Sequence, residues 1–147
     1  MQNNKIIAFT LIESVLVLVI STIVLTLGVI WGPACLQAVQ ERNFWITFDR
    51  QWRMVMIEAN RYDEQVKIDF SHISNHSRVI FTFEKSNKVT RLDYPPQLQN
   101  ARNVEAVYRK GGGLKMQKVM IKNMRTKQVY TLVPQIGVGG KYVIQKQ

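Results

Sequence analysis

The stretch FTLIESVLVLVISTIVLTLGVIW, residues 9 to 31, decides the fold, and its only charge is Glu13. As a helix it would be roughly 35 Å long, enough to cross a hydrocarbon core of about 30 Å. A domain within a chain of 147 residues supplies too little apolar surface to enclose such a helix. The run also exceeds the roughly 7–15 apolar residues of a secretory signal. The stretch therefore predicts a transmembrane helix.

The charges are divided unevenly along the chain. Lys5 and Glu13 are the only charged residues up to position 40, whereas the whole chain carries a net charge of +10. Hydrophobic residues make up 46% of the chain, which excludes a disordered protein. An anchored, basic region outside the hydrocarbon core is the arrangement that this composition predicts.

Glu13 is the unusual residue of the apolar stretch. A carboxylate inside a membrane helix costs about 2.5–3.5 kcal/mol, so it is expected to have a role and a partner. Phe9 lies four residues upstream, which is one helical turn. If the chain were cut between Ala8 and Phe9, the new α-amino group could neutralise the Glu13 carboxylate within one chain or between neighbouring chains.

The sequence Ala8-Phe9-Thr10-Leu11-Ile12-Glu13, followed by the apolar run, resembles the class 3 signal of type IV pilins and pseudopilins. The resemblance implies that residues 1 to 8 are a leader. A prepilin peptidase would cut before Phe9 on the cytoplasmic side and methylate the new N-terminus. Glu13 would help to dock the subunit into a filament. Ala8 departs from the glycine that the family usually has at this position. The remaining alternative is a plain signal-anchor helix with a chance match.

The orientation of the helix does not follow from charge alone. Lys5 precedes the helix, but Arg42, Arg50 and Arg53 follow it, which is mildly contrary to the positive-inside rule. The pilin resemblance implies a single-pass membrane protein with the N-terminus inside and the C-terminal domain outside. After processing, the subunit would lie at the cell surface in a pseudopilus.

The helix is predicted to continue beyond Gly32-Pro33, where proline favours a bend. Residues 32 to 65 are predicted to form an amphipathic continuation that ends near residue 64, because residues 34 to 65 contain no glycine or proline. Apolar side chains recur there at helical spacings of three and four. The predicted buried stripe consists of Trp45, Phe48, Trp52, Val55, Ala59 and Tyr62.

Residues 66 to 147 are predicted to be rich in β-strands, with turns at residues 84–87 and 123–127 and a loop at 111–113. The predicted strands are Arg78–Phe83, Lys88–Leu92, Val104–Tyr108, Leu114–Lys122 and Gln128–Val133. A long helix followed by a meandering sheet indicates an α+β, pilin-like fold. The antiparallel β-sheet would pack on residues 34 to 65.

Two segments are similar to the ComGF family of minor competence pseudopilins in Gram-positive bacteria. They are the helical segment Trp45–Glu58 and the sequence Tyr94-Pro95-Pro96-Gln97-Leu98. The resemblance implies a structural role in the competence pseudopilus that takes up DNA for transformation. The implied partners are other competence pseudopilins, the prepilin peptidase and the membrane. Two alternatives stay open: a membrane-tethered polyanion-binding protein, and a pseudopilin of a type II secretion-like system.

No catalytic motif was found, so neither an enzyme nor a cofactor is predicted. His72 and His76 are four residues apart, but no further metal ligand accompanies them, and the polar segment from 71 to 76 is predicted to be a loop. Cys35 is the single cysteine, which excludes an intramolecular disulfide. It is predicted to be unpaired, with a disulfide between subunits as the alternative and a lipoprotein site disfavoured by the preceding Gly32-Pro33.

Residues 101 to 147 are strongly basic, with Glu105 as their single acidic residue. Such a region attracts polyanions through the release of counterions. DNA or wall polyanions are the candidate partners, and anionic lipid or mere solubility are the alternatives. The candidate binding residues are Arg109, Lys110, Lys115, Lys118, Lys122, Arg125 and Lys127.

Overall fold

A computed structural model describes residues 11–73, 76–111, 113–135 and 140–146. The chain divides into two compact units, Met1–Ala38 and Val39–Gln147. One helix, α1 Leu11–Tyr62, contributes residues to both units. The strands that follow in the described residues are β1 Val66–Ile73, β2 His76–Phe83, β3 Val89–Asp93, β4 Leu98–Asn100, β5 Val104–Arg109, β6 Gly113–Met116, β7 Val119–Asn123, β8 Val129–Pro134 and β9 Tyr142–Lys146.

The first part of α1 is long and apolar enough to cross a membrane. Every side chain from residue 11 to residue 29 is exposed, so no protein core encloses this segment. The hydroxyl groups of Thr22 and Thr26 donate hydrogen bonds to the carbonyls of Leu18 and Thr22, at 2.8 and 2.7 Å. These bonds satisfy the polar side chains within the helix, as an apolar solvent requires. Pro33 lies inside α1 without ending it.

The second part of α1 buries one face in the β-rich unit. Phe48 and Ala59 are fully buried, and Trp52 and Val55 nearly so, which confirms the core of the predicted stripe. Trp45 is half-buried, and Tyr62 is 61% exposed, so the prediction for Tyr62 was wrong. Tyr62 is exposed because α1 ends there and the chain turns away toward β1. The buried face also includes Phe44 and Met56, which the spacing did not single out.

A hydrogen-bonded turn ends α1 and ties it to the β2–β3 hairpin. Asp63 has a φ of 50°, and the Glu64 amide donates to the Ala59 carbonyl at 2.9 Å, which is the Schellman pattern. The buried Glu64 carboxylate accepts hydrogen bonds from the Ser86 amide and, at 3.2 Å, from the Ser86 hydroxyl. Lys85 Nζ donates to the Asp63 carbonyl at 2.6 Å. These contacts fix the end of the helix against the turn before β3.

The strands form two antiparallel sheets, in the orders β3-β2-β1-β5-β6 and β4-β7-β8-β9. A long N-terminal helix packed on antiparallel strands confirms the predicted α+β, pilin-like class. The β2–β3 and β7–β8 hairpins also lie where the turns at 84–87 and 123–127 predict them.

The prediction of one sheet with a single strand at Leu114–Lys122 was wrong. This stretch is split into β6, which pairs with β5, and β7, which pairs with β4 and β8. The inward-facing side chains have even residue numbers in β6 and odd residue numbers in β7. In β6 they are the half-buried Leu114 and Met116, and in β7 they are the fully buried Val119 and Ile121. A continuous strand keeps one alternation, so the chain passes from one sheet to the other at Gln117 and Lys118.

Three strands were missed by the sequence analysis: β1, β4 and β9. β1 is central to its sheet and buries Val66, Ile68 and Phe70 in strict alternation. His72 lies at the end of β1 and His76 begins β2, so the loop predicted at residues 71–76 is a strand hairpin in its described part. Residues 74 and 75 of that prediction lie outside the described residues.

The helix packs against aromatic side chains from both sheets. The Phe48 ring centroid lies 6.4 Å from that of Phe70 in β1 and 5.5 Å from that of Tyr142 in β9. The Trp52 ring lies 6.1 Å from the ring of Phe81 in β2. Trp52 Nε1 donates to the Gly140 carbonyl at 2.8 Å, so the buried indole N–H is satisfied.

Phe48→Ala should lower the free energy of unfolding by about 3–5 kcal/mol, because a fully buried aromatic ring is lost and a cavity remains. The matched control is Ile46→Ala on the exposed face, where the side chain is 57% exposed. That control should change stability by no more than about 0.5 kcal/mol. Denaturation of the full chain in detergent micelles, followed by tryptophan fluorescence, measures both. Equal losses for the two variants would contradict the proposed core.

Glu64→Gln should reduce stability at neutral pH and flatten its acid dependence. Burial alone would raise the pKa of Glu64, but hydrogen bonds from Ser86 and the charge of Lys85 outweigh it and hold that pKa below its usual value of 4.5. The ionised form therefore stabilises the fold above about pH 4.5, and this stability is lost as the pH falls through the lowered pKa. Denaturation of both proteins between neutral and acid pH gives the difference. A gap that stays constant below pH 4.5 would contradict this account.

Candidate functional site

The structure describes the predicted processing motif only from residue 11 onward. Ala8 and Phe9 lie outside the described residues. Glu13 lies in the first described turn of α1 and is exposed on the single chain. The next charged residue along the chain is Glu41, so Glu13 is the only ionisable group of the apolar segment. Its carboxylate is therefore the one site in that segment that can form an ion pair.

A shallow groove follows one face of α1 just beyond Glu13. Ser14, Ser21 and Thr22 supply small polar side chains along it, and Val17, Leu18 and Leu25 supply the apolar ones. Small residues let helices approach closely in a membrane, where packing rather than hydrophobic burial holds helices together. These residues therefore leave one face of α1 open to the close approach of a neighbouring apolar helix.

The first two of the seven candidate basic residues lie at the end of the domain where α1 finishes. Arg109 is the last residue of β5, and its Nε donates to Gln65 Oε1 at 2.7 Å, three residues beyond the helix end. Lys110 follows in the exposed turn before β6. Gly111, in the same turn, has a φ of 74°, and Gly112 lies outside the described residues.

Lys122, Arg125 and Lys127 lie together at the opposite end, where α1 enters the β-rich unit. Between them, the buried Asn123 donates through Nδ2 to Glu41 Oε2 at 2.6 Å. Glu41 and Tyr62 are 21 residues apart on one helix, roughly 32 Å along its axis. The structure therefore separates this group from Arg109 and Lys110.

Lys115 and Lys118 lie between these two groups. Lys115, in β6, is exposed and lines a groove with Glu105. Glu105 pairs with Asp69 across β5 and β1. Burial, and then repulsion from Glu105, raises the pKa of Asp69. Two carboxylates on this face lower its attraction for polyanions. Lys118 lies in the connection from β6 to β7, and its carbonyl accepts a hydrogen bond from Arg102 at 3.4 Å.

Glu41 anchors the β7–β8 hairpin to the helix, and the sequence analysis missed it. The Tyr130 hydroxyl donates to Glu41 Oε1, while Asn123 donates to Glu41 Oε2. Burial, and then the neighbouring Glu41 carboxylate, raises the pKa of Tyr130 well above its usual value, so the phenol stays protonated as a donor. Asn123 Oδ1 in turn accepts from the amides of Arg125 and Thr126, at 2.9 and 3.0 Å. The hairpin is therefore held in one conformation.

His72 and Cys35 stand apart from these groups. His72 Nδ1 lies 2.9 Å from the Ser77 hydroxyl, across the β1–β2 hairpin. Cys35 is exposed on α1 and forms no disulfide within the chain. In the part of the chain that the structure describes, no three residues among His, Cys, Asp and Glu are grouped so that they could hold a metal ion.

Comparisons of the chain with protein-family models, curated proteins and solved structures give no match.

Proposed function

We propose that this chain is a minor pseudopilin of a competence pseudopilus, with a structural role in the uptake of DNA. One observation carries the proposal. A single helix has an exposed apolar first part with one carboxylate, Glu13, and a second part that forms the core of a β-rich domain. A buried soluble helix would not be exposed from residue 11 to residue 29. A plain anchor has no use for a costly carboxylate.

The helix suits two successive environments, the bilayer and a filament. In the bilayer its apolar side chains would face lipid, with the N-terminus inside and the C-terminal domain outside. In a filament they would face the same segments of neighbouring subunits. The groove with Ser14, Ser21 and Thr22 supports close helix packing in both settings.

Glu13 would provide the specificity of docking. After cleavage between Ala8 and Phe9, the N-terminal amine and the Glu13 carboxylate could pair between neighbouring subunits. Opposite charges attract strongly at low dielectric, and an unpaired charge there is costly. A subunit would therefore join the base of the growing filament in the register that pairs the amine with the carboxylate.

A membrane-tethered polyanion-binding protein is the second candidate. It is favoured by the exposure of every one of the seven candidate basic residues. Binding to DNA would then use phosphate contacts, because nothing in this region resembles a base-reading element. Glu13 separates the two candidates, since a tether alone gives the carboxylate no role.

Processing at Ala8–Phe9 tests the pseudopilin role first. In cells with an active prepilin peptidase, the mature chain should begin at Phe9 and carry an N-methyl group. Intact-mass spectrometry of the purified protein reads this directly. Ala8→Gly restores the residue that is usual in the family and should be processed at least as completely, whereas cells without the peptidase should keep the full chain. A mature protein that still begins at Met1 in competent cells would contradict the proposal.

Glu13→Gln tests the assembly role. The variant keeps the shape of the side chain but loses the charge, so membrane insertion should be unchanged or improved. Transformation and co-purification with partner pseudopilins should fall on the order of tenfold or more, because a charge pair at low dielectric is lost. Val19→Leu, at an exposed apolar position of the same helix, is the control and should behave as the parent. Normal transformation by Glu13→Gln cells would favour the tether instead.

A further inference from the structure

We propose that the β7–β8 hairpin and the basic residues beside it bind anionic lipid headgroups while the subunit waits in the membrane before assembly. The proposal rests on the membrane attachment proposed above but not on cleavage or on Glu13. It gives Lys122, Arg125 and Lys127 a partner of defined chemistry, the phosphates of a bilayer surface.

Exposed cations of three separate elements lie at this end of the β-rich unit. Lys122, Arg125 and Lys127 belong to the hairpin and are exposed. Lys146, in β9, pairs with Tyr130, and its Nζ lies 5.9 Å from the centroid of that ring. Arg42 is exposed on α1 beside Glu41, the residue that holds the hairpin.

Glu41 is the acidic residue that contacts the hairpin. Both carboxylate oxygens of Glu41 accept hydrogen bonds, from Asn123 and from Tyr130. The hairpin itself, from Val119 to Pro134, contains no acidic residue. The hairpin is therefore positively charged wherever its lysines and arginine are protonated, and it is complementary to an anionic bilayer surface.

The chain length brings this surface within reach of the headgroups. Glu41 follows Trp31 by ten positions, so at most roughly 15 Å of helix lies between them. The headgroup layer extends about 5–7 Å beyond the hydrocarbon core. Lysine and arginine side chains extend toward headgroups while their charge stays in water. The attraction between these side-chain charges and the bilayer surface extends over about one Debye length, near 8 Å at physiological salt.

Met124 favours a lipid surface over DNA or wall polymers as the partner. It is the first residue of the hairpin tip and is 47% exposed, between the exposed Lys122 and Arg125. An apolar side chain flanked by cations is typical of surfaces that enter the boundary between headgroups and acyl chains. A site that binds only DNA phosphates or wall phosphates gains nothing from it.

Basic residues away from the hairpin provide a built-in control. Arg109, Lys110 and Lys115 carry the same formal charge as the hairpin trio. However, Arg109 is engaged with Gln65, and Lys115 shares its groove with Glu105. Arg109 and Lys110 also follow the far end of α1. Removing these three charges changes the net charge equally but leaves the proposed surface intact.

The experiment uses the full chain in lipid nanodiscs. A fluorophore is placed at Thr126→Cys in a Cys35→Ser background, and a quencher is attached to the lipid headgroups. Quenching should be stronger in phosphatidylcholine–phosphatidylglycerol discs than in phosphatidylcholine alone, and salt should weaken it. The triple variant Lys122→Gln, Arg125→Gln, Lys127→Gln should lower the ratio of docked to free hairpin on the order of 100-fold. Circular dichroism checks that each variant keeps its fold.

Two comparisons decide the outcome. The matched variant Arg109→Gln, Lys110→Gln, Lys115→Gln should quench as the parent does, and Met124→Ser should weaken quenching in the anionic discs. Equal losses for the two triple variants would overturn the proposal. So would a Met124→Ser protein that quenches normally while duplex DNA displaces the hairpin, because the surface would then be a general polyanion site. Either failure would leave the predictions for Phe9 and Glu13 standing.

Discussion

The aromatic stripe on the second part of α1 is the interaction on which the rest of the structure depends. Phe48 and Trp52 contact rings from both sheets, so the helix is the shared core of two sheets that do not pair with each other through strands. Without the stripe, neither sheet could bury its inner face. The Schellman turn at Asp63 and the Glu64–Ser86 contacts then fix where the helix ends and where β1 begins.

The first part of the same helix is long and apolar enough to cross a membrane. This part offers almost nothing but apolar side chains, and its threonines bond to their own backbone. Glu13 is the single charged residue of that part. Local rules of folding are broken mostly where function requires it, so the Glu13 carboxylate is a more specific sign of function than the basic surface.

Much of the fold could be predicted because its signals are local. The helical stripe, the β2–β3 hairpin and the β7–β8 hairpin all follow from short-range periodicity and turn residues. The split of Leu114–Lys122 into two strands could have been predicted from the change of parity after Met116. The alternation of Val66, Ile68 and Phe70 likewise marks β1, but the polar residues at the end of that strand obscured it.

The arrangement of the basic residues could not be predicted, because it depends on long-range contacts. In the sequence, Arg109 and Arg125 fall in one basic region. In the structure, the crossing from β6 to β7 places them at opposite ends of the domain. The contact of Glu41 with Asn123 and Tyr130 joins residues more than 80 positions apart, and no local sequence pattern predicts it.

Labelling from outside intact cells tests the central claim most directly, namely that α1 crosses the membrane and leaves the β-rich unit outside. Cys35 is the single cysteine, so the test protein carries Arg61→Cys, at the exposed far end of α1, in a Cys35→Ser background. A membrane-impermeant maleimide should label the introduced thiol of this protein in intact competent cells, whereas the Cys35→Ser protein alone should stay unlabelled. Labelling that requires permeabilised cells, or a chain that fractionates without the membrane, would contradict the account.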